Sequence, residues 1–165
     1  RNVMVWGVNT EKSEEYSSYM MNLGFKVRIC DSPKHVTDTC NLIITTTAAT
    51  EPILFADDIL PGTHITAMGS DTPAKQELDP NIMEKADCVV ADSIPQCIER
   101  GEISHALKDG KLTKNNIVEL GHVLSGQHPG RTAQDQITVA DLTGVAVQDI
   151  QIATAVYESF MENES

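Results

Sequence analysis

The sequence predicts an α/β fold built on a mostly parallel, doubly wound sheet. Three observations predict it. The apolar runs Leu42–Ile44, Ile65–Met68 and Cys88–Ala91 are continuous rather than alternating, as in strands buried on both faces. They alternate with segments of helical character, the pattern of βαβ units. The first two end abruptly in small and polar residues, Thr45–Thr47 and Gly69–Asp71, as strands do where they leave a sheet for a loop.

In chain order, Asn2–Val8 is the first strand, and Asn9–Thr10 turns the chain. Glu11–Leu23 is a helix with acidic residues in its first turn, where they complement the helix dipole, and Gly24 ends it. Lys26–Cys30 is a second strand. Ser32-Pro33 opens a short helix reaching about Thr39, with proline at a tolerated early position. Asn41–Thr47 and Thr63–Met68 are the third and fourth strands, separated by a helical turn over Phe55–Leu60 and a tight turn at Pro61-Gly62. Asn81–Ala86 is a short helix and Asp87–Asp92 the fifth strand. A helix runs over Ile94–Ile103, and Glu102–Asp109 continues it to Gly110. Ile117–Leu120 is a sixth strand, Gly121–Ser125 a helical turn and Gln127–Asp135 a polar loop. Ile137–Leu142 is apolar with a polar break and receives no assignment. Val145–Met161 repeats apolar residues at helical spacing. Repeats, linkers and low-complexity tracts are absent, so residues 1–165 read as a single domain.

A length of 165 residues with 41% hydrophobic side chains supports one domain with a real core. The formal net charge of -12 argues against nucleic acid and anionic membrane surfaces as partners. Cys30, Cys40, Cys88 and Cys97 form no C-x-x-C pair and the five histidines are scattered, so no metal site is expected. Free thiols of this kind suit a reducing, cytoplasmic setting. No run of 18 apolar residues is present to span a membrane.

Ligands of open α/β sheets bind at the carboxyl ends of the strands. Two adjacent strands ending at Thr45–Thr47 and Gly69–Asp71 would leave room for one, with the Asp71 carboxylate at its edge. In a partly dry cleft that carboxyl would have a raised pKa and serve as an acid/base, although residue type alone favours an Asp that caps the Thr72–Gln76 turn. His122 and His128 flank a loop containing Arg131, but their spacing builds neither a catalytic triad nor a metal site.

The segments T-T-T-A-A-T-E-P-I-L, L-P-G-T-H-I-T-A-M-G-S-D-T-P-A-K-Q-E-L-D, C-V-V-A-D-S and T-G-V-A-V-Q-D, in that order and spacing over roughly residues 1–158, resemble the ornithine cyclodeaminase/mu-crystallin family of NAD(P)-dependent proteins. The resemblance implies a Rossmann-like three-layer fold and a parent activity of amino-acid or imino-acid oxidoreduction or deamination. It also implies roles for residues. Asp71 matches the aspartate that acts as general acid/base in ornithine cyclodeaminase and that mu-crystallins lack. Thr47, Ala48 and Ala49 match positions contacting the dinucleotide. Met68 and Ser70 would line the nicotinamide and Val145 would cover it, although sequence alone favours ordinary core packing for Met68 and Val145. Gly7, Val8 and Asn9 would lie by the adenosine ribose, with Lys12 near a phosphate. NADP-preferring relatives often carry Arg where this chain has Val8, so NAD and NADP both remain open.

The glycine-rich G-x-G-x-x-G/A loop that brings a pyrophosphate to a helix N-terminus is not in this sequence. Against the family, the chain begins at the second strand of the fold, without the usual first strand or the N-terminal substrate and dimerisation domain. In the 3-2-1-4 order that strand lies mid-sheet. Two repairs are expected: Asn2–Val8 pairs directly with Asn41–Thr47, or a second copy or a completing chain fills the gap. On this reading the chain alone is expected to be inactive, as a partial NAD(P)-binding domain. The alternative is a non-catalytic truncated relative acting as a dimeric interaction module.

Overall fold

The computed structural model describes residues 1–163 and bears out the α/β class. Strands β1 (Asn2–Val5) and β2 (Lys26–Ile29) flank helix α1 (Thr10–Asn22) and pair in parallel. Asn9 caps α1: its Oδ1 accepts the Lys12 N–H at 3.0 Å, satisfying a donor that the first turn leaves unpaired. Ser13 and Ser17, four residues apart, form the buried side of α1, small enough for the helix to lie close to β2. Helix α2 (Pro33–Thr37) starts behind a Ser32 cap.

Five parallel strands make the main sheet. They are β3 (Leu42–Thr45), β5 (His64–Ala67), β7 (Cys88–Ala91), β8 (Ile117–Glu119) and β9 (Thr138–Asp141), in the order β3-β5-β9-β7-β8. β4 (Thr50–Leu54) and β6 (Gln76–Leu78) form a separate parallel pair beside it. Helices α3 (Asn81–Lys85), α4 (Ile94–Glu99), α5 (Glu102–Lys108), α6 (Leu120–Leu124) and α7 (Ala146–Asn163) complete the chain. Ile65, Ala67, Val89, Ala91 and Val139 of the central strands pack with Ile82, Met83, Cys97, Ile103 and Ala106 of α3–α5 in one buried cluster.

Four features depart from the sequence reading. Ile137–Leu142, left unassigned, contributes the central strand β9, flanked by β5 and β7. The β4–β6 pair was not anticipated. The helix read as continuous through Ile94–Asp109 is two helices, broken at Arg100-Gly101. Finally, Asn2–Val8 does not pair with Asn41–Thr47. Among the described residues β1 pairs with β2 alone and β3 with β5 alone, so both keep an unpaired edge. Leu42 and Ile44 of β3 are 60% and 59% exposed, and most of the apolar side chains of α7, among them Ile150, Ile152 and Phe160, are also in solvent.

The break at Gly101 has a steric cause. Its φ is +86°, and a Cβ there would lie 2.6 Å from both an Asp141 carboxylate oxygen and Thr143 Cγ2. Gly101→Ala is therefore expected to cost more than about 1 kcal/mol and to lower the thermal midpoint by several degrees, measured by circular dichroism.

Candidate functional site

All the strand pairings are parallel, so the loops after β3, β5, β7 and β9 gather at one end of the sheet. Adjacent β3 and β5 end there together, as the sequence indicated, and Met68 N–H donates to the Thr45 carbonyl across the pair. One carboxylate joins the two ends. Glu77 of β6 is fully buried; it accepts the Thr45 hydroxyl at 2.7 Å, the Thr47 N–H at 2.5 Å and the Gly69 N–H at 2.9 Å. Gly69 is required for space rather than for backbone freedom, since a Cβ would collide with the Glu77 carboxyl and the Thr47 carbonyl. Small or short side chains continue from β3: Thr47 and Ala49 are half-buried, Ala48 is exposed, and the Thr47 hydroxyl accepts the Ala49 N–H.

The loop after β5 is pinned from below. The buried Ser70 hydroxyl donates to the Lys75 carbonyl at 2.6 Å, and His105 Nε2 bonds the same carbonyl at 2.9 Å. Asp71 stands at the rim, its side chain 53% exposed, ion-paired with Lys75 Nζ at 2.7 Å. The expectation of a raised pKa is corrected here. The hydrogen bond from Lys75 holds the Asp71 carboxyl below its ordinary value, and burial opposes this only weakly because the rim is open to solvent.

After β9, Asp92 gathers the next loop by accepting the Gly144 N–H at 2.9 Å and the Thr143 hydroxyl at 3.3 Å, and Gln96 Nε2 donates to Thr143 Oγ1 and the Gly144 carbonyl. Val145 follows, half-buried, just ahead of α7. Met68 is 49% exposed at the end of β5, so it is not a core residue. At the end of β1, Gly7 is exposed, Val8 is 93% exposed, and Asn9 spends its side-chain oxygen on the cap of α1 at Lys12. His122 and His128 share a turn in which His128 Nδ1 accepts the Gly130 N–H, remote from these strand ends in the chain.

Glu77, Glu102, Asp141 and His105 are residues to which the sequence reading gave no role. Glu102 accepts the N–H groups of Glu77 and Leu78 at 2.7 and 3.0 Å, and Asp141 accepts that of Ile103 at 2.8 Å. Nothing local signals the burial of Glu77, which sits in the polar stretch Lys75–Asp79.

The family model described as "Ornithine cyclodeaminase/mu-crystallin family" matches residues 1–164. The chain belongs to that family. It is 37% identical to an uncharacterised cyclodeaminase of Sinorhizobium fredii over 100% of this chain and 50% of the relative. Among solved structures it resembles an archaeal alanine dehydrogenase dimer with bound NAD (TM-score 0.92, 32% identity, 99% of this chain and 51% of that one). It also resembles the iminosuccinate reductase of Paracoccus denitrificans in complex with NAD+ (TM-score 0.92, 30% identity, 99% and 50%). The fold is thus that of the Rossmann-like domain of NAD-binding dehydrogenases, and the chain spans about half the length of the curated relatives it matches.

A pH dependence follows from the buried acids. Burial pushes Glu102 and Asp141 each up to about 7, although both accept backbone N–H groups, which pull the other way. The fold binds these protons more tightly than the unfolded chain does. Their contribution to stability is therefore fully present below the ordinary carboxylate range and is lost as pH rises through about 7. Thermal unfolding should show a midpoint falling between pH 5 and 8, with about 1–3 kcal/mol involved, and Glu102→Gln should flatten the slope.

Proposed function

We propose that this chain supplies the dinucleotide-binding side of an NAD(P)-dependent oxidoreductase acting on amino or imino acids. The observation that carries the reading is the cradle formed by the adjacent ends of β3 and β5, in a fold that superposes along 99% of its length on NAD-bound relatives. The residues present fit such a cofactor at its nicotinamide side. Thr47, Ala48 and Ala49 leave room beside the strand end, Gly69 and Ser70 are fixed by buried partners, and Met68 and Val145 offer apolar surface. Gly7, Val8 and Asn9, with Lys12, would meet the adenosine ribose and its phosphate. A bound dinucleotide supplies the acceptor or donor of hydride at the carbon that bears the amine.

Asp71 is assigned to proton transfer. Paired with Lys75 it is ionised at neutral pH, so it enters the reaction as a base, and its position on the rim leaves it open to a small substrate. The names of the relatives support an amino- or imino-acid substrate and a dimeric assembly. The four free cysteines suit a cytoplasmic location, and no described helix is long and apolar enough to cross a membrane. The alternative of a non-catalytic interaction module finds no support in the fold or in the relatives.

Calorimetric titration tests the proposal. NADH or NADPH should bind in the micromolar range, about -8 kcal/mol. Thr47→Trp should abolish binding by filling the strand end, and Asp71→Asn should leave it nearly unchanged. Absence of binding by the unaltered protein at millimolar cofactor would refute the reading.

A further inference from the structure

The cradle rests on a single side chain that comes from neither of the strands it joins. Glu77 lies in β6, outside the main sheet, yet its two oxygens satisfy three donors at the ends of β3 and β5. Oε2 takes the Thr45 hydroxyl and the Gly69 N–H, and Oε1 takes the Thr47 N–H. The side chain is fully buried, and its bonds to the Thr45 hydroxyl and the Gly69 N–H are buried with it, where water cannot replace it. Glu102 fixes its backbone in turn, accepting the Glu77 and Leu78 N–H groups.

We propose that Glu77 is the positioning residue of the dinucleotide cleft: its carboxylate sets the separation and orientation of the β3 and β5 ends against which the cofactor lies. The inference rests on the cofactor reading above and adds to it a residue that would not touch the cofactor. All three partners donate, so both oxygens must accept. An amide presents one accepting oxygen and one NH2 group, and the NH2 group would face an N–H whichever way it turned. Glu77→Gln keeps the volume and loses at least one of the three bonds, so the ends of β3 and β5 should part while the rest of the sheet stays paired.

The test compares the unaltered protein with Glu77→Gln, Thr45→Val and Asp87→Asn. The last removes a carboxylate that accepts the Ile137 N–H at the opposite, N-terminal end of β7 and β9. Each protein is titrated with NADH at a temperature where circular dichroism shows it folded, and the amide exchange of Thr47 and Gly69 is followed by NMR. Glu77→Gln should weaken NADH binding by at least about tenfold and speed exchange at both amides. Thr45→Val, losing one bond, should weaken it about threefold, and Asp87→Asn should leave binding and both amides unchanged. A folded Glu77→Gln that binds NADH as the unaltered protein does would overturn the assignment. So would an equal loss in Asp87→Asn, which would make the effect one of general stability. If Glu77→Gln does not fold, Thr45→Val decides, and undiminished binding there overturns the assignment as well. Failure of the unaltered protein to bind is a separate result: it removes the cofactor reading, and the positioning role falls with it.

Discussion

A backbone N–H shut away from water without an acceptor costs about 1–3 kcal/mol, and a sheet that ends inside a protein produces several of them at once. This chain meets the requirement with buried carboxylates. Asp141, at the end of β9, accepts the Ile103 N–H and so seats the start of α5. Glu102, one residue earlier on that helix, holds the backbone of β6. Glu77 of β6 then closes the ends of β3 and β5. Three acids thus form a relay from the centre of the sheet to its functional rim. Burying them is costly, as the raised pKa values of Glu102 and Asp141 register, and the N–H donors offset part of that cost.

The same economy explains two glycines. Gly69 and Gly101 each face a carboxylate of the relay, Glu77 and Asp141, at distances that leave no room for a side chain. The rest of the architecture is less closed. Among the described residues β1 and β3 each keep an unpaired edge, where the 3-2-1-4 order of doubly wound sheets places a strand. Leu42 and Ile44 of β3 and much of the apolar face of α7 are in solvent. Unpaired parallel edges bearing exposed aliphatic side chains are surfaces on which further chain pairs readily.

β7 was legible because burial on both faces leaves an unbroken apolar run, whereas β3 and β5, read in the same way, bury one face only: Leu42 and Ile44 of β3 are exposed and His64 and Thr66 of β5 are partly so. The opening of α2 at Ser32-Pro33 and the stop after α1 at Gly24 were legible from local chemistry, whereas Asn9 was read as a turn and not as the cap it is. β9 was not legible, because Thr138 and Asp141 interrupt its pattern; both are buried and bonded, Thr138 Oγ1 to His64 Nδ1 at 2.7 Å and Asp141 to Ile103. β4 was obscured by Pro52, and its ladder with β6 shifts register between Thr50 and Leu54, where that proline sits. At the site, the resemblance drew attention to Asp71, Thr47 and Ser70, which the fold brings to the ends of adjacent strands. The environment of Asp71 was misjudged, since nothing local in the sequence says that Lys75 folds back onto it. Glu77 escaped notice because its partners lie 30, 32 and 8 residues away.

The central claim is that the cofactor lies across the carboxyl ends of β3, β5 and β9, held open by buried acids. Mapping amide chemical-shift changes on addition of NADH tests it most directly. The account predicts changes concentrated at Thr47–Ala49, Met68–Asp71 and Thr143–Val145, with none at the far end of the strands. Changes confined instead to the depression lined by Asn41, Gly62 and Arg131, at the amino ends of β3 and β5, would contradict it.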